Sequence, residues 1–195
     1  MGFNISWIAI MGATARQMTE DLGFTPTGKF ATLASQPLQG AELPGKGYLV
    51  VARGDEHAIL SPGFLAAHSE KHDIVACAVE EHVMHCQAAC WRAGKMAWSA
   101  EHDGQESRRH LVTQGSLPAS FDEILQAAKR LQDVEDSAAQ EVDFFFEVPL
   151  QLAQSIAGFK HDEETPGLAG NGFETLASTR GQGPGRQSRW WEFWR

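Results

Sequence analysis

Residues 74–103, IVACAVEEHVMHCQAACWRAGKMAWSAEHD, constrain this chain more than any other stretch. At their centre stands Arg92-Ala93-Gly94-Lys95, where Gly94 can take the positive φ that a two-residue hairpin turn needs. With Ala93 and Gly94 as the loop, Trp91 faces Met96, Ala89 faces Trp98, Gln87 faces Ala100 and His85 faces His102. Alternation then places all eight on one side of a two-stranded ribbon. Met84, Cys86, Ala88 and Cys90 lie on the other side, opposite Asp103, Glu101, Ser99 and Ala97. Small apolar residues on both sides predict a ribbon that is covered twice.

That pairing makes the open end of the ribbon a candidate metal site. Directly opposite residues have Cβ atoms roughly 5 Å apart, so His85 and His102 would reach one ion. Glu101 and Asp103 are their neighbours, and imidazole with carboxylate suits zinc or a similar transition metal. The plainer reading is two polar residues at the solvated end of a hairpin, and a three-residue loop would break the His85–His102 match. The cysteines suggest less chemistry. Cys86 and Cys90, four residues apart on one strand, are separated by roughly 13 Å, too far for a disulfide. Cys77 sits in the apolar run IVACAV and reads as a small buried hydrophobe. Three irregularly spaced cysteines fit a reducing compartment.

Charge and length set the outer bounds. The 195 residues carry a formal net charge of −9, which argues against a nucleic-acid backbone as partner and favours a basic protein or small cation. No run approaches the ~20 apolar residues of a membrane-spanning helix. The start, Met1-Gly2-Phe3-Asn4, lacks the basic and apolar regions of a secretion signal, so a cytoplasmic protein is expected.

Before the hairpin, residues 3–11 alternate as a strand, and Thr14 can cap a short helix that ends at Gly23. Residues 24–47 read as a loop-rich connection with one possible strand at 29–35, and Tyr48 to Arg53 as a firm strand. Ser61-Pro62 opens a helix to about Glu70. Beyond the hairpin, residues 108–113 read as a strand, and Phe121 to Gln132 trace a helical apolar stripe. The run VDFFFEV, residues 142–148, reads as a strand, followed by a helix from Pro149 to Gly158. Lys160-His161-Asp162-Glu163-Glu164 reads as a solvated charge run that closes the domain.

From Thr165 the composition changes. Residues 165–188 hold six glycines and two prolines without apolar periodicity, which is linker composition. The chain ends Arg189-Trp190-Trp191-Glu192-Phe193-Trp194-Arg195. From residue 180 onward there are four arginines and one glutamate, leaving −12 on the residues before. Trp190, Trp191, Phe193, Trp194 and Arg195 are candidate partner-binding residues, since tryptophan and arginine dominate interface hot spots. The same peptide can instead fold back onto its own acidic domain, or rest weakly at a membrane interface.

FNISWIA at the start, AELPGKGYLVVA, VACAVEEHVM, GFKHDE and the terminal WWEFW together resemble an uncharacterised family of bacterial proteins of this size. The resemblance implies a small cytosolic bacterial protein and carries no activity or site. The expected architecture is one α+β domain over residues 1–164, a largely antiparallel sheet with three to four packed helices. A flexible tail would follow over residues 165–195. The expected function is that of a non-enzymatic protein-interaction module, adaptor-like or similar to the acidic immunity proteins that neutralise basic toxins. A metal-dependent enzyme built on the hairpin is the alternative.

Overall fold

The computed structural model describes residues 2–138, 141–168, 170 and 172–178. Along the chain run β1 (Asn4–Met11), α1 (Ala15–Leu22), β2 (Phe24–Ala31), β3 (Leu38–Leu43) and β4 (Gly47–Arg53). A 3₁₀ turn (Ala58–Leu60) leads into α2 (Pro62–His68). Then come β5 (Ile74–Glu80), β6 (His85–Arg92), β7 (Lys95–Asp103) and β8 (Val112–Gly115). The chain continues through α3 (Phe121–Ser137), α4 (Glu147–Ala157) and β9 (Phe173–Ser178). The nine strands make one antiparallel sheet in the order β2-β9-β3-β4-β1-β5-β6-β7-β8.

This corrects the expected α+β domain with three to four packed helices: the molecule is sheet-dominated, and its helices are accessories. α1 and α2 are only eight and seven residues long, and α3 packs chiefly on α4. Helices were over-weighted because three strands give weak sequence signals. β2 is an edge strand, exposed along most of its length and carrying Pro26, Gly28 and Lys29, residues that discourage pairing with another chain. β3 is rich in small residues because Tyr48 lies against it; a Cβ on Gly40 would come within 2.7 Å of the Tyr48 Cζ. β9 arises from the stretch of linker composition, so the sheet continues past the boundary expected at Glu164.

The strands β1, β4 and β5 are buried along nearly their whole length because the sheet is covered on both faces. On one face Trp7, Leu49, Val75, Cys77, Cys86 and Trp98 pack against α4 through Leu150, Leu152 and Ala153. On the other, Ile8, Ile10, Val50, Ala76 and Trp91 meet Leu22, Ile59, Leu60 and Leu65 from α1, the 3₁₀ turn and α2. Local signals place these covers. Thr14 and Gln17 form a reciprocal capping box at the start of α1, and the Ser61 Oγ accepts from the Phe64 N–H at α2. Gly158, at φ 72°, ends α4.

The run at 142–148 is not a strand. Asp143 Oδ1 accepts from the backbone N–H groups of Phe145 and Phe146 at 3.1 and 3.2 Å, turning the chain into α4. Phe145 and Phe146 are buried by this turn, so their hydrophobicity reflects packing on the sheet rather than pairing within it. Among the described residues no helix is long and apolar enough to cross a membrane.

Candidate functional site

The hairpin turn forms as its sequence predicts, with Ala93 at φ 50° and Gly94 at φ 73°. Arg92 faces Lys95 and Trp91 faces Met96. Ala97 is then an extra residue: Cys90 faces Trp98, Ala88 faces Ala100, Cys86 faces His102 and His85 faces Asp103. A one-residue slip turns every later side chain to the other face. His102 therefore points with Cys86 towards α4, and His85 stays on the opposite side of the sheet. The bulge thus parts His102 from His85 and leaves Glu101 and Asp103 on the His85 side.

Each member of the quartet has other work. His85 Nε2 lies 3.5 Å from Glu101 Oε1. The Asp103 N–H donates to His110 Nδ1 at 2.8 Å, and its Oδ1 accepts from the Gln105 N–H. His102 is fully buried between two acceptors, with Nε2 3.0 Å from Asp143 Oδ2 and Nδ1 2.8 Å from the His110 carbonyl. The His102–Asp143 contact ties β7 to the start of α4. Among the described residues no three His, Cys, Asp or Glu side chains gather closely enough to hold an ion. The cysteines are all free and buried. Burial pushes the Cys77 and Cys86 thiols well up and that of Cys90 to about 11, which suppresses the nucleophilic thiolate. After the hairpin, Arg109 reaches Asp133 and Asp136 on α3, each at 2.7 Å.

The chemistry gathers instead at the charge run that sequence reading left in solvent. After Gly158 the chain turns Phe159 inward, edge-on to Trp7 with ring centroids 5.3 Å apart. That anchor carries the next two residues under cover, so Lys160 and His161 are each only 5% exposed. The Lys160 ammonium sits among Asp162 at 2.7 Å, Glu147 at 3.1 Å and Glu163 at 3.3 Å. Burial alone would lower the Lys160 pKa, but Asp162 and Glu147 outweigh it and raise it well above the ordinary value. Conversely, burial pushes Asp162 up, and the hydrogen bond from Lys160 with the nearby charges holds its carboxyl below the ordinary value.

His161 is held by the opposite end of the chain. Its Nε2 lies 2.8 Å from Glu81 Oε1, and Glu81 Oε2 accepts from the Phe3 N–H at 2.7 Å. The Phe3 ring stands edge-on to the imidazole at 5.0 Å. A carboxylate only accepts, so Nε2 carries the hydrogen, and Nδ1 is the open position of the ring. Nδ1 is buried without a hydrogen-bond partner, and the Asp162 Oδ1 stands off at 3.9 Å.

His161 lines a cleft of about 820 Å³. Its apolar wall is Phe3, Leu33, Phe159, Leu168 and Phe173. Asp162, Glu163 and Glu164 form its acidic lip. The site thus offers aromatic and aliphatic surface and three carboxylates. The residues that build it come from four separate places in the chain, and the only sequence hint was a histidine inside a charge run directly after a buried aromatic. The five tail residues Trp190, Trp191, Phe193, Trp194 and Arg195 lie outside the described residues. No family model, curated protein or solved structure matches the chain.

Proposed function

We propose that this chain is a protein-interaction module, adaptor- or inhibitor-like, that receives a basic, aromatic peptide segment in the cleft around His161. One observation carries the reading: an apolar wall and an acidic lip meet in one cavity. The apolar wall favours flat aromatic side chains, and the lip favours guanidinium or ammonium groups. A tryptophan beside an arginine meets both demands at once. The volume is at the upper end of small-ligand pockets, suited to several side chains of an extended peptide. The overall charge of −9 steers a basic partner in the same direction.

The test is a fluorescence-anisotropy titration with a labelled peptide of alternating arginine and tryptophan, against the same peptide with glutamate for arginine. The chain titrated carries serine at Trp190, Trp191, Phe193 and Trp194, so that its own basic aromatic segment does not compete. Binding of the basic peptide alone, weakened at least tenfold by adding Leu168→Asp or Glu164→Lys, is the expected result. Equal affinity of that chain with and without the two further substitutions would place the interaction elsewhere and overturn the reading. The hairpin metal enzyme is not favoured, because the bulge at Ala97 puts His85 and His102 on opposite faces.

A further inference from the structure

The cleft's first occupant has a candidate within the chain itself. We infer that residues 189–195, Arg-Trp-Trp-Glu-Phe-Trp-Arg, seat in the chain's own cleft around His161 and must be displaced before another peptide binds. This rests on the cleft being a peptide site.

Chemistry supports the match first. The segment brings three indole rings and a phenyl ring for the apolar wall, and two arginines for the acidic lip. Its aromatic rings suit the wall of Phe3, Leu33 and Leu168, each half-buried. Charge agrees, since the residues from 180 onward carry +3 and those before them −12.

Reach supports it independently. β9 begins at Phe173, which lines the cleft, and ends at Ser178, five residue steps and roughly 17 Å away. Residues 179–188 separate that point from Arg189. Ten residues reach at most about 35 Å, which is more than that distance. The connection is therefore long enough to return the segment to the cleft, and a short connection raises its effective concentration there. A short tether supplies on the order of 1 mM, so a free peptide with a dissociation constant of about 10 µM would bind about 100-fold more weakly while the tail is seated.

The experiment compares the full chain with a full-length variant in which Trp190, Trp191, Phe193 and Trp194 are all serine. The probe is a labelled synthetic peptide of residues 189–195, read by anisotropy. Roughly 100-fold tighter binding to the serine variant, lost again when Leu168→Asp or Glu164→Lys is added, is the expected result. Equal tight binding to both chains would overturn the self-docking inference and leave the peptide site standing. Binding to neither would overturn both. Tighter binding to the serine variant that survives Leu168→Asp and Glu164→Lys would put the tail on another surface and overturn its assignment to the cleft. Sedimentation closes the last option: a dimer abolished by the serine substitutions would seat the tail in a second copy and overturn docking within one chain.

Discussion

Replacing Asp143 tests how the hairpin is fastened to the helical layer. Its Oδ2 pairs with the fully buried His102, and its Oδ1 receives the Phe145 and Phe146 N–H groups that begin α4. Asp143→Ala removes both functions. Leaving a buried ring nitrogen without its hydrogen-bond partner costs about 1–3 kcal/mol, and losing a cap about 1 kcal/mol. The expected total is about 2–4 kcal/mol, a large share of the 5–15 kcal/mol typical of a folded domain. Asp143→Asn keeps an oxygen for the cap and a polar neighbour for the imidazole, so its cost is smaller, about 1 kcal/mol. Urea unfolding at pH 7, followed by circular dichroism at constant m-value, measures both. A double cycle with His102→Gln isolates the pair. An alanine variant that loses under about 1.5 kcal/mol, or a cycle that returns no coupling, would show that the pair fastens nothing.

Four further outcomes follow from the same physics. Tyr48 is the only tyrosine in the chain, and burial, then Glu174 and Glu42, raises its phenol from 10.0 to about 12. Its absorbance titration should centre near 12, and stability should fall as pH rises from about 10 to about 12, where only the unfolded phenol ionises; a reversible midpoint near 10 would refute this. All three thiols should resist iodoacetamide in the native state and react in urea, and a fast native thiol would contradict their burial. Gly40→Ala should cost about 1–3 kcal/mol by driving a methyl into Tyr48 and Leu176, and thermal melting that is unchanged would count against that contact. Asp162's lowered carboxyl pKa gives stability above about pH 4 that is lost as pH falls through its folded value. Lys160→Met should flatten that acid limb, and an acid limb identical to the wild type would remove Lys160 as the cause.

Much of the sheet was legible because local rules and tertiary packing agree there. The strands β1, β4, β5, β6 and β7 carry apolar residues on both faces, and both faces are covered. The turn at Ala93-Gly94, the Ser61 cap and the Gly158 stop were readable for the same reason, since each depends on a residue's own conformational preference. The bulge at Ala97 depends on no such preference. One alanine among small neighbours gives no warning of a slip, and that slip moved His102 across the sheet. In the same way, VDFFFEV has the composition of a strand, and only the Asp143 carboxylate folding back on its own backbone makes it the entry to a helix.

The cleft was illegible for a deeper reason, which lies in the connection rather than in any residue. β2 and β3 are neighbours in sequence, yet β9 lies between them and pairs with both. The chain must therefore leave α4, which packs over β5, β6 and β7, and cross to the far side of the sheet to supply that strand. The described residues from Gly158 to Leu168 carry most of this crossing. Their route passes the N-terminal end of β1 and the turn after β5, where Phe3 and Glu81 wait to take His161. A charge run that would be solvated in a local loop is thus pulled over an apolar floor, with Lys160 neutralised by three carboxylates and His161 hydrogen-bonded to Glu81. The crossing covers one side of Phe159 and Phe173 and leaves the cleft beside them, so the topology that inserts β9 also makes the site. If that is correct, disrupting the β9 insertion should open the cleft before it unfolds the rest. Leu176→Asp, which places a charge on the buried face of β9, should speed amide exchange in β2, β9 and residues 159–168 while protection in β1, β5 and β6 persists. Uniform loss of protection across all nine strands would show instead that the cleft and the sheet are one cooperative unit, and that the crossing is not its separable cause.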